Sequence, residues 1–90
     1  MEIKPLERVL KALGNRRRLA IIRYLSRRKD ATVTELAEAI RLSLTATSKH
    51  LAVLKGADIV ADEKRSLLVI YSLVNPVQPA VKATLALLNE

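Results

Sequence analysis

The first strong pattern of apolar and polar positions predicts a short amphipathic helix that ends in a tight turn. Its apolar positions recur at helical spacing and would form one buried stripe: Val33, Leu36, Ala37 and Ile40. Thr32 followed by Glu35 fits a capping box, and Thr34 is a competing cap. Ser43 then provides an N-cap for a second helix. The pattern predicts a helix-turn-helix at about residues 32–55.

The second helix would place short polar side chains opposite an apolar face. At about 100° per residue, the inward line is Thr47, Leu51 and Leu54, with Leu44 and His50 at its edges. Short outward side chains let a helix backbone approach the major groove, where hydroxyl and ammonium groups contact phosphates and base edges. The predicted DNA contacts here are Ser43, Thr45, Ala46, Ser48 and Lys49. The alternative is an ordinary solvated face, because polar outer faces are the norm.

Two β-strands are predicted directly after the helix-turn-helix. They are IVADE (Ile59–Glu63) and LLVIYSL (Leu67–Leu73), of which the second alternates and is rich in β-branched residues. The link between them, Lys64–Ser66, is short and basic. A basic hairpin at this position is typical of a wing that lies along the DNA backbone or minor groove, so Lys64 and Arg65 are further predicted DNA contacts. The alternative is a structural hairpin with solvated charges.

The two ends of the chain are predicted helices with extensive apolar surface, at about residues 5–13 and 77–88. The last helix is apolar nearly all round, and one small core cannot cover such a helix. We therefore predict a C2 homodimer through both terminal helices. The predicted interface residues are Leu6, Val9, Leu10, Leu13, Val81, Leu85 and Leu88. The alternative, a terminal helix buried in a monomer, demands a larger core than 90 residues readily supply.

A net charge of +7 on 90 residues favours a polyanionic partner, here double-stranded DNA. Basic residues crowd one predicted helix: Arg16, Arg17, Arg18, Arg23, Arg27, Arg28 and Lys29. Arg18 falls in line with Ile22 and Leu25, so its guanidinium is expected to be partly buried and paired with a carboxylate or a carbonyl. The outward arginines either add to a DNA-facing field or simply solvate the surface.

Three stretches in this order resemble the ArsR/SmtB-type winged helix-turn-helix regulators. The opening helix of that family is similar to LGNRRRLAIIRYL (Leu13–Leu25). Its helix-turn-helix is similar to VTELAEAIRLSLTATSKHLAVLKGADIV (Val33–Val60), including the run Ser48–Leu51, and its second wing strand to LLVIYSL. The resemblance extends over essentially the whole chain. It implies a mainly α fold with a two-stranded β-wing at about residues 59–73, dimerising through the first and last helices.

Four positions depart from the family pattern. Arg41, Asp58 and Ser66 stand where the family usually has glycine, and Leu67 stands where arginine is common. A residue with a Cβ adopts a positive φ only at a cost, although aspartate is among the more tolerant residues. The departures leave the fold intact and concern the shapes of the turns and the grip of the wing on DNA.

The resemblance implies one DNA-binding domain over residues 1–90 that acts as a sequence-specific transcriptional regulator. We expect a homodimeric repressor that recognises a near-palindromic operator, with recognition helices about 34 Å apart in successive major grooves. The alternatives are a winged-helix protein-interaction module and a nonspecific DNA-binding protein. An enzyme is not expected, because the sequence has no nucleophile–base pair, carboxylate constellation or phosphate-binding glycine loop.

Metal and cofactor binding are not expected either. Some members of the family sense metals in the helix before the recognition helix or in the last helix, but this chain has Ala37 and Ala39 in the first place and no His or Asp in the second. Zinc and thiophilic metals prefer Cys and His ligands, and the chain has no cysteine and one histidine, His50. No apolar run approaches the roughly 18 residues of a membrane span, and the start lacks the apolar stretch of a signal peptide. These features predict a cytoplasmic protein that has no membrane partner.

Overall fold

The computed structural model describes residues 2–90, which form five helices and three strands. The helices are α1 (Ile3–Leu13), α2 (Arg16–Arg28), α3 (Val33–Ile40), α4 (Leu44–Gly56) and α5 (Pro79–Leu88). The strands are β1 (Asp30–Thr32), β2 (Val60–Arg65) and β3 (Leu68–Leu73). Over residues 2–90, no helix combines the length and the apolar character needed to cross a lipid bilayer. Both terminal helices predicted from the sequence are present, and α5 begins at a proline, which suits the first turn of a helix.

Polar side chains fix the starts of the three central helices. Asn15 caps α2, since its side-chain oxygen accepts hydrogen bonds from the backbone N–H groups of Arg17 and Arg18. The predicted capping box at α3 is confirmed: Thr32 Oγ1 accepts from Glu35 N at 3.1 Å, and Glu35 Oε1 accepts from Thr32 N at 2.8 Å. Ser43 caps α4, its Oγ accepting from Ala46 N at 3.1 Å. Short sequence signals therefore place the helix-turn-helix where the apolar pattern predicts it.

The sheet is antiparallel, with β3 in the centre and the order β1-β3-β2. The predicted wing hairpin is confirmed, and its strands pair from Val60 opposite Leu73 to Arg65 opposite Leu68. The third strand, β1, was not predicted, so the sheet has three strands instead of the expected two. β1 has only three residues between the end of α2 and the cap of α3, too few to show a period-2 pattern. Its central residue, Ala31, is buried against the rest of the core.

One aliphatic core joins all five helices with the base of the sheet in residues 2–90. Its members are Val9, Ala12, Leu13, Ile21, Ile22, Leu25, Ala31, Leu36, Leu51, Leu54, Ala57, Ile59, Val60 and Val81. Helix α2 is central, because it packs against every other helix as well as β1 and β3. Thr47 of α4 is also fully buried, and within residues 2–90 its hydroxyl has no hydrogen-bond partner. The burial of α4 on this side leaves its opposite side facing out.

The three positions where the family usually has glycine all adopt the left-handed conformation. Arg41, Asp58 and Ser66 have φ angles of 55°, 57° and 57°. In residues 2–90 neither of the two glycines, Gly14 and Gly56, has a positive φ. The turns therefore keep the backbone shape that glycine favours while carrying a Cβ, at a cost of about 1–2 kcal/mol for each residue.

Candidate nucleic-acid interface

The outward face of α4 consists of short polar side chains. Thr45, Ser48 and Lys49 are exposed, and Ala46 between them is partly exposed. On the opposite side Leu51 and Leu54 are fully buried and hold the helix against α2 and α3. The structure therefore places the predicted contact residues on one accessible face. Ser43 is exposed as well, but its Oγ already accepts the hydrogen bond that caps the helix. The same hydroxyl would have to serve both the cap and any contact to DNA.

Leu44, the first residue of α4, lies differently from the sequence expectation. Its place beside the inward line predicted contact with the core, yet its side chain is 53% exposed. It borders a shallow groove on the helix-turn-helix, together with Thr34, Glu38 and Arg41. An exposed aliphatic side chain in the first turn of such a helix can contact the methyl group of thymine. Its apolar character indicated burial, and no signal in the sequence distinguished the two placements.

The inner side of α4 is tied to α1 and α2 by Arg18. Its guanidinium donates to the carbonyl oxygens of Ala12 and Lys11 at the end of α1, as the carbonyl alternative for this residue predicted. It also donates to His50 Nδ1 at 3.2 Å, and since arginine can only donate, this nitrogen is the unprotonated one. Burial and then the positive charges of Arg18 and Arg17 lower the pKa of His50. A neutral His50 of α4 therefore accepts the hydrogen bond that connects this helix to Arg18 of α2.

The wing is less basic than its tip sequence suggests. Arg65 is held by Glu63, with a nitrogen–oxygen distance of 2.9 Å, and by Asp30 of β1 at 3.4 Å. The ion pair with Glu63 raises the pKa of Arg65, so the guanidinium stays charged but engaged. Lys64 is exposed and forms none of the ion pairs found within residues 2–90. Of the two predicted wing contacts, Lys64 is the one whose charge is available to a phosphate.

A second ion pair connects the wing to the recognition helix. Lys55 in the last turn of α4 lies 2.9 Å from the carboxylate of Asp62 on β2. Arg8 of α1 donates to the carbonyl oxygen of Gly56 at 3.0 Å, so the end of α4 is also bonded to the first helix. These two contacts connect the last turn of α4 to β2 of the wing and to α1.

The predicted interface residues on the terminal helices fall into two groups. Val9, Leu13 and Val81 are buried in the core of the single chain, so they support α1 and α5 from within. Leu10 is 52% exposed, and Leu6, Leu85 and Leu88 are partly exposed. Ile3 and Leu87, which the sequence analysis did not include in the interface, are exposed too. Both terminal helices therefore leave large apolar side chains accessible.

Within residues 2–90, no group of three or more His, Cys, Asp or Glu side chains lies close enough to hold a metal ion. The expectation that the metal sites of the family are missing stays a prediction, which a binding measurement can test.

A family model described as "Bacterial regulatory protein, arsR family" matches residues 15–62. The chain belongs to this family. The matched segment runs from the cap of α2, through the helix-turn-helix, into the first wing strand, so it covers the outward face of α4 and ends before Lys64 and Arg65. The arsR family and the related proteins described below are DNA-binding transcriptional regulators, not enzymes.

Individual relatives agree with this assignment. The HTH-type transcriptional regulator YgaV of Escherichia coli K12 is 32% identical over 77 residues, which are 86% of this chain and 78% of YgaV. The crystal structure of the transcriptional repressor PagR of Bacillus anthracis has a TM-score of 0.81 at 26% identity and covers 96% of this chain and 94% of its own.

The solution structure of Mb0332 from Mycobacterium bovis, a homodimeric winged helix-turn-helix DNA-binding domain, has a TM-score of 0.79. It is 29% identical, and the match covers 94% of this chain and 75% of that one. The predicted winged helix-turn-helix fold is confirmed by these matches. This arsR-family protein is accordingly a DNA-binding transcriptional regulator.

Proposed function

We propose that the chain is a single-domain, homodimeric transcriptional repressor that binds a near-palindromic operator in the cytoplasm. The observation that supports sequence-specific binding is the outward face of α4. Its capped first turn and its short side chains, Thr45, Ser48 and Lys49, let the backbone come close to base edges. Lys64 on the wing adds a contact to the DNA backbone.

The dimer is proposed from the exposed apolar side chains of α1 and α5, with Leu10 as its clearest example. Exposed apolar surface on two neighbouring helices favours association with a second copy. In a C2 dimer, this patch on one protomer packs against the same patch on its partner. The solution structure of Mb0332, which is homodimeric, supports the proposal. A dimer would place two α4 helices about 34 Å apart, one turn of DNA, and would therefore select a near-palindromic site.

Repression is proposed by similarity to PagR, a transcriptional repressor whose structure matches almost the whole of this chain. A small dimer that occupies a promoter excludes other proteins from the same DNA. We further propose that no metal acts at the family's sensor positions, because Ala37 and Ala39 provide no ligand atoms in their side chains. Zinc added at micromolar concentration should then leave the affinity for the operator unchanged, and tight stoichiometric zinc binding would contradict this part of the proposal.

The test is fluorescence anisotropy on labelled DNA from upstream of the protein's own gene, compared with scrambled DNA over a salt series. We expect a clear preference for the natural sequence and a steep loss of affinity with salt, because bound lysines and arginines release counterions. Lys49→Ala should weaken binding by about tenfold, and Ser48→Ala by less. Lys4→Ala, which removes an exposed lysine from α1, is the matched control and should change little.

Each other outcome has a distinct meaning. Equal affinity for natural and scrambled DNA would identify a nonspecific DNA-binding protein. Absence of binding to either DNA would favour a winged-helix protein-interaction module. If Lys49→Ala and Ser48→Ala both bind as tightly as the wild type, the assignment of the contacts to this face of α4 is wrong.

A further inference from the structure

A groove lined with arginines lies on the side of α2 that faces away from the core. Arg16, Arg23 and Arg27 follow one row along the helix at helical spacing, and Arg17, Tyr24 and Arg28 follow the next row. Ala20 lies between the two rows, and the last turn of α3 forms the facing wall through Ala39 and Ile40. We call this feature the arginine groove. It is separate from the outward face of α4, none of whose predicted contact residues lines it.

The shape of the groove comes from small side chains at its floor. Ala20 and Ala39 leave space that longer residues would fill, so the cavity has a volume of about 670 Å³. Sites for small molecules in proteins typically occupy about 300–1,000 Å³. A convex surface of arginines attracts anions but contacts each of them from one side. A concave surface can place several N–H donors around the same anion.

The charge of the groove is not balanced by the chain itself. Within residues 2–90, no carboxylate forms an ion pair with any arginine of the groove, and all three ion pairs found there involve Lys55 or Arg65. Its five arginines therefore place five positive charges along one groove of a chain whose net charge is +7. Positive charges that share one groove repel one another, and a bound anion between them would offset this electrostatic repulsion.

Neutral contacts hold part of the groove in place. Arg17 donates to the carbonyl oxygen of Ile40 at 3.3 Å, which joins the rim to the end of α3. Arg27 donates to Asn89 Oδ1 at 3.1 Å, and the guanidinium of Arg28 lies 5.6 Å from the centre of the Tyr24 ring. Each of these guanidinium groups has five N–H donors, so donors remain for a ligand after these contacts. Arg16 and Arg23 are exposed, and no side-chain hydrogen bond of either is found within residues 2–90.

We propose that the arginine groove is a binding site for multivalent phosphate anions. Guanidinium groups match phosphate geometry because two parallel N–H groups can bind two oxygens of one phosphate. Phosphate oxygens reach a DNA regulator from two sources: a free oligophosphate, or the backbone of DNA beyond the operator contacts. The ligand would lie against the last turn of α3, directly before the turn that leads into α4.

The test is isothermal titration calorimetry of the full chain with sodium tripolyphosphate at about 150 mM salt, where the Debye length is about 8 Å and long-range attraction is screened. We expect saturable binding with one anion per chain. Arg16→Gln/Arg23→Gln should bind about tenfold more weakly or worse, because two charge-assisted donors are lost. Lys4→Gln/Lys11→Gln removes the same charge from exposed positions of α1 and should retain the wild-type affinity. Circular dichroism checks that each variant is folded, and the single variants Arg16→Gln and Arg23→Gln replace the double variant if it is not.

A second arm separates the two sources of phosphate. If tripolyphosphate binds the protein–operator complex as it binds the free protein, the ligand is a free anion. If Arg16→Gln/Arg23→Gln weakens operator binding and tripolyphosphate competes with DNA, the groove binds the DNA backbone. The proposal is overturned if the wild type binds neither source through the groove, or if the α1 variant loses as much tripolyphosphate affinity as the groove variant. A failure of the α4 variants on DNA would leave the calorimetric result unaffected, so the two proposals are tested separately.

Discussion

Single residues set the turns of this fold at some cost in stability. Arg41 ends α3 in the left-handed conformation, with φ 55° and ψ 52°, and its N–H bonds back to the carbonyl oxygens of the helix. Asp58 and Ser66 adopt the same conformation before and within the wing. Because the backbone keeps its shape without glycine, the turns are determined by the surrounding caps and pairings, and the Cβ atoms add strain to them.

Arg41→Gly should therefore stabilise the protein by about 1 kcal/mol, since glycine adopts a positive φ without the Cβ penalty. Urea unfolding followed by circular dichroism gives the free energy of unfolding. Arg41→Ala is the control, because it removes the exposed guanidinium but keeps the Cβ. A glycine variant no more stable than the alanine variant would show that the turn is unstrained.

His50 makes stability depend on pH in a defined direction. Burial, then Arg18 and Arg17, lower its pKa in the folded protein, whereas the unfolded chain keeps the ordinary value near 6.5. As the pH falls through about 6.5, the unfolded state binds a proton before the folded state does, so the free energy of unfolding decreases. The free energy of unfolding recovers as the pH rises well above about 6.5, where His50 becomes neutral in both states.

His50→Gln tests this, because the chain has no other histidine and glutamine can still accept from Arg18. We expect the wild type to lose more free energy of unfolding than the variant between pH 7.0 and 5.5, measured by urea titration. Equal losses in the two proteins would mean that His50 is not the group responsible.

At the scale of the elements, the sequence predicts the helices better than the sheet. Thr32 and Ser43 fix helix starts through bonds to residues three positions away, and such local signals are visible in the chain. β1 exists only through its pairing with β3, some forty residues later, so no local pattern reveals it. The engagement of Arg65 by Asp30 depends on that same pairing, and a basic tip sequence therefore overstates the charge that the wing offers to DNA.

Glu63→Gln should raise the affinity for operator DNA by about twofold to threefold at moderate salt. The change removes a negative charge from the wing and one of the two carboxylates that hold the guanidinium of Arg65, whose ion pairs are exposed and therefore weak. Affinity should also fall more steeply with salt in the variant, because one more cation contacts phosphate. Anisotropy titrations measure both effects.

Glu7→Gln on α1 is the control for the wing variant, since it removes an equal charge from an exposed position outside the wing. An equal rise in both variants would attribute the effect to net charge alone. An unchanged affinity in Glu63→Gln would mean that the wing does not touch the DNA backbone.

At the scale of the whole molecule, the terminal helices α1 and α5 each have a buried inner face and an exposed outer face. Three of the predicted interface residues, Val9, Leu13 and Val81, complete the core of one chain, so α1 and α5 do not depend on a partner for their inner faces. What remains exposed on them is the outer apolar part, including Leu10. The amphipathic pattern could not separate the two groups, because a helix that is apolar on most sides shows no boundary between inner and outer faces.

If the proposed dimer forms through α1, Leu10→Asp should raise its dissociation constant by at least about tenfold, because the change introduces charge into an apolar interface. Size-exclusion chromatography with light scattering measures the mass. Leu67→Asp is the matched control, since Leu67 at the wing tip is 92% exposed and lies away from the terminal helices. A Leu10→Asp protein that remains dimeric would exclude this part of α1 from the interface.

The extent of β1 has a mechanical consequence for the wing. β1 pairs with β3 only from Ile70 to Ser72, so the sheet is three strands wide at its base and two strands wide beyond that point. Two-stranded ribbons twist more readily than wider sheets. The wing is therefore more rigid at its base, where β1 leads into the cap of α3, and more flexible towards Ser66 at its tip. Minor-groove width varies with DNA sequence, and in the proposed complex such a tip would follow that variation while α4 stays in the neighbouring major groove.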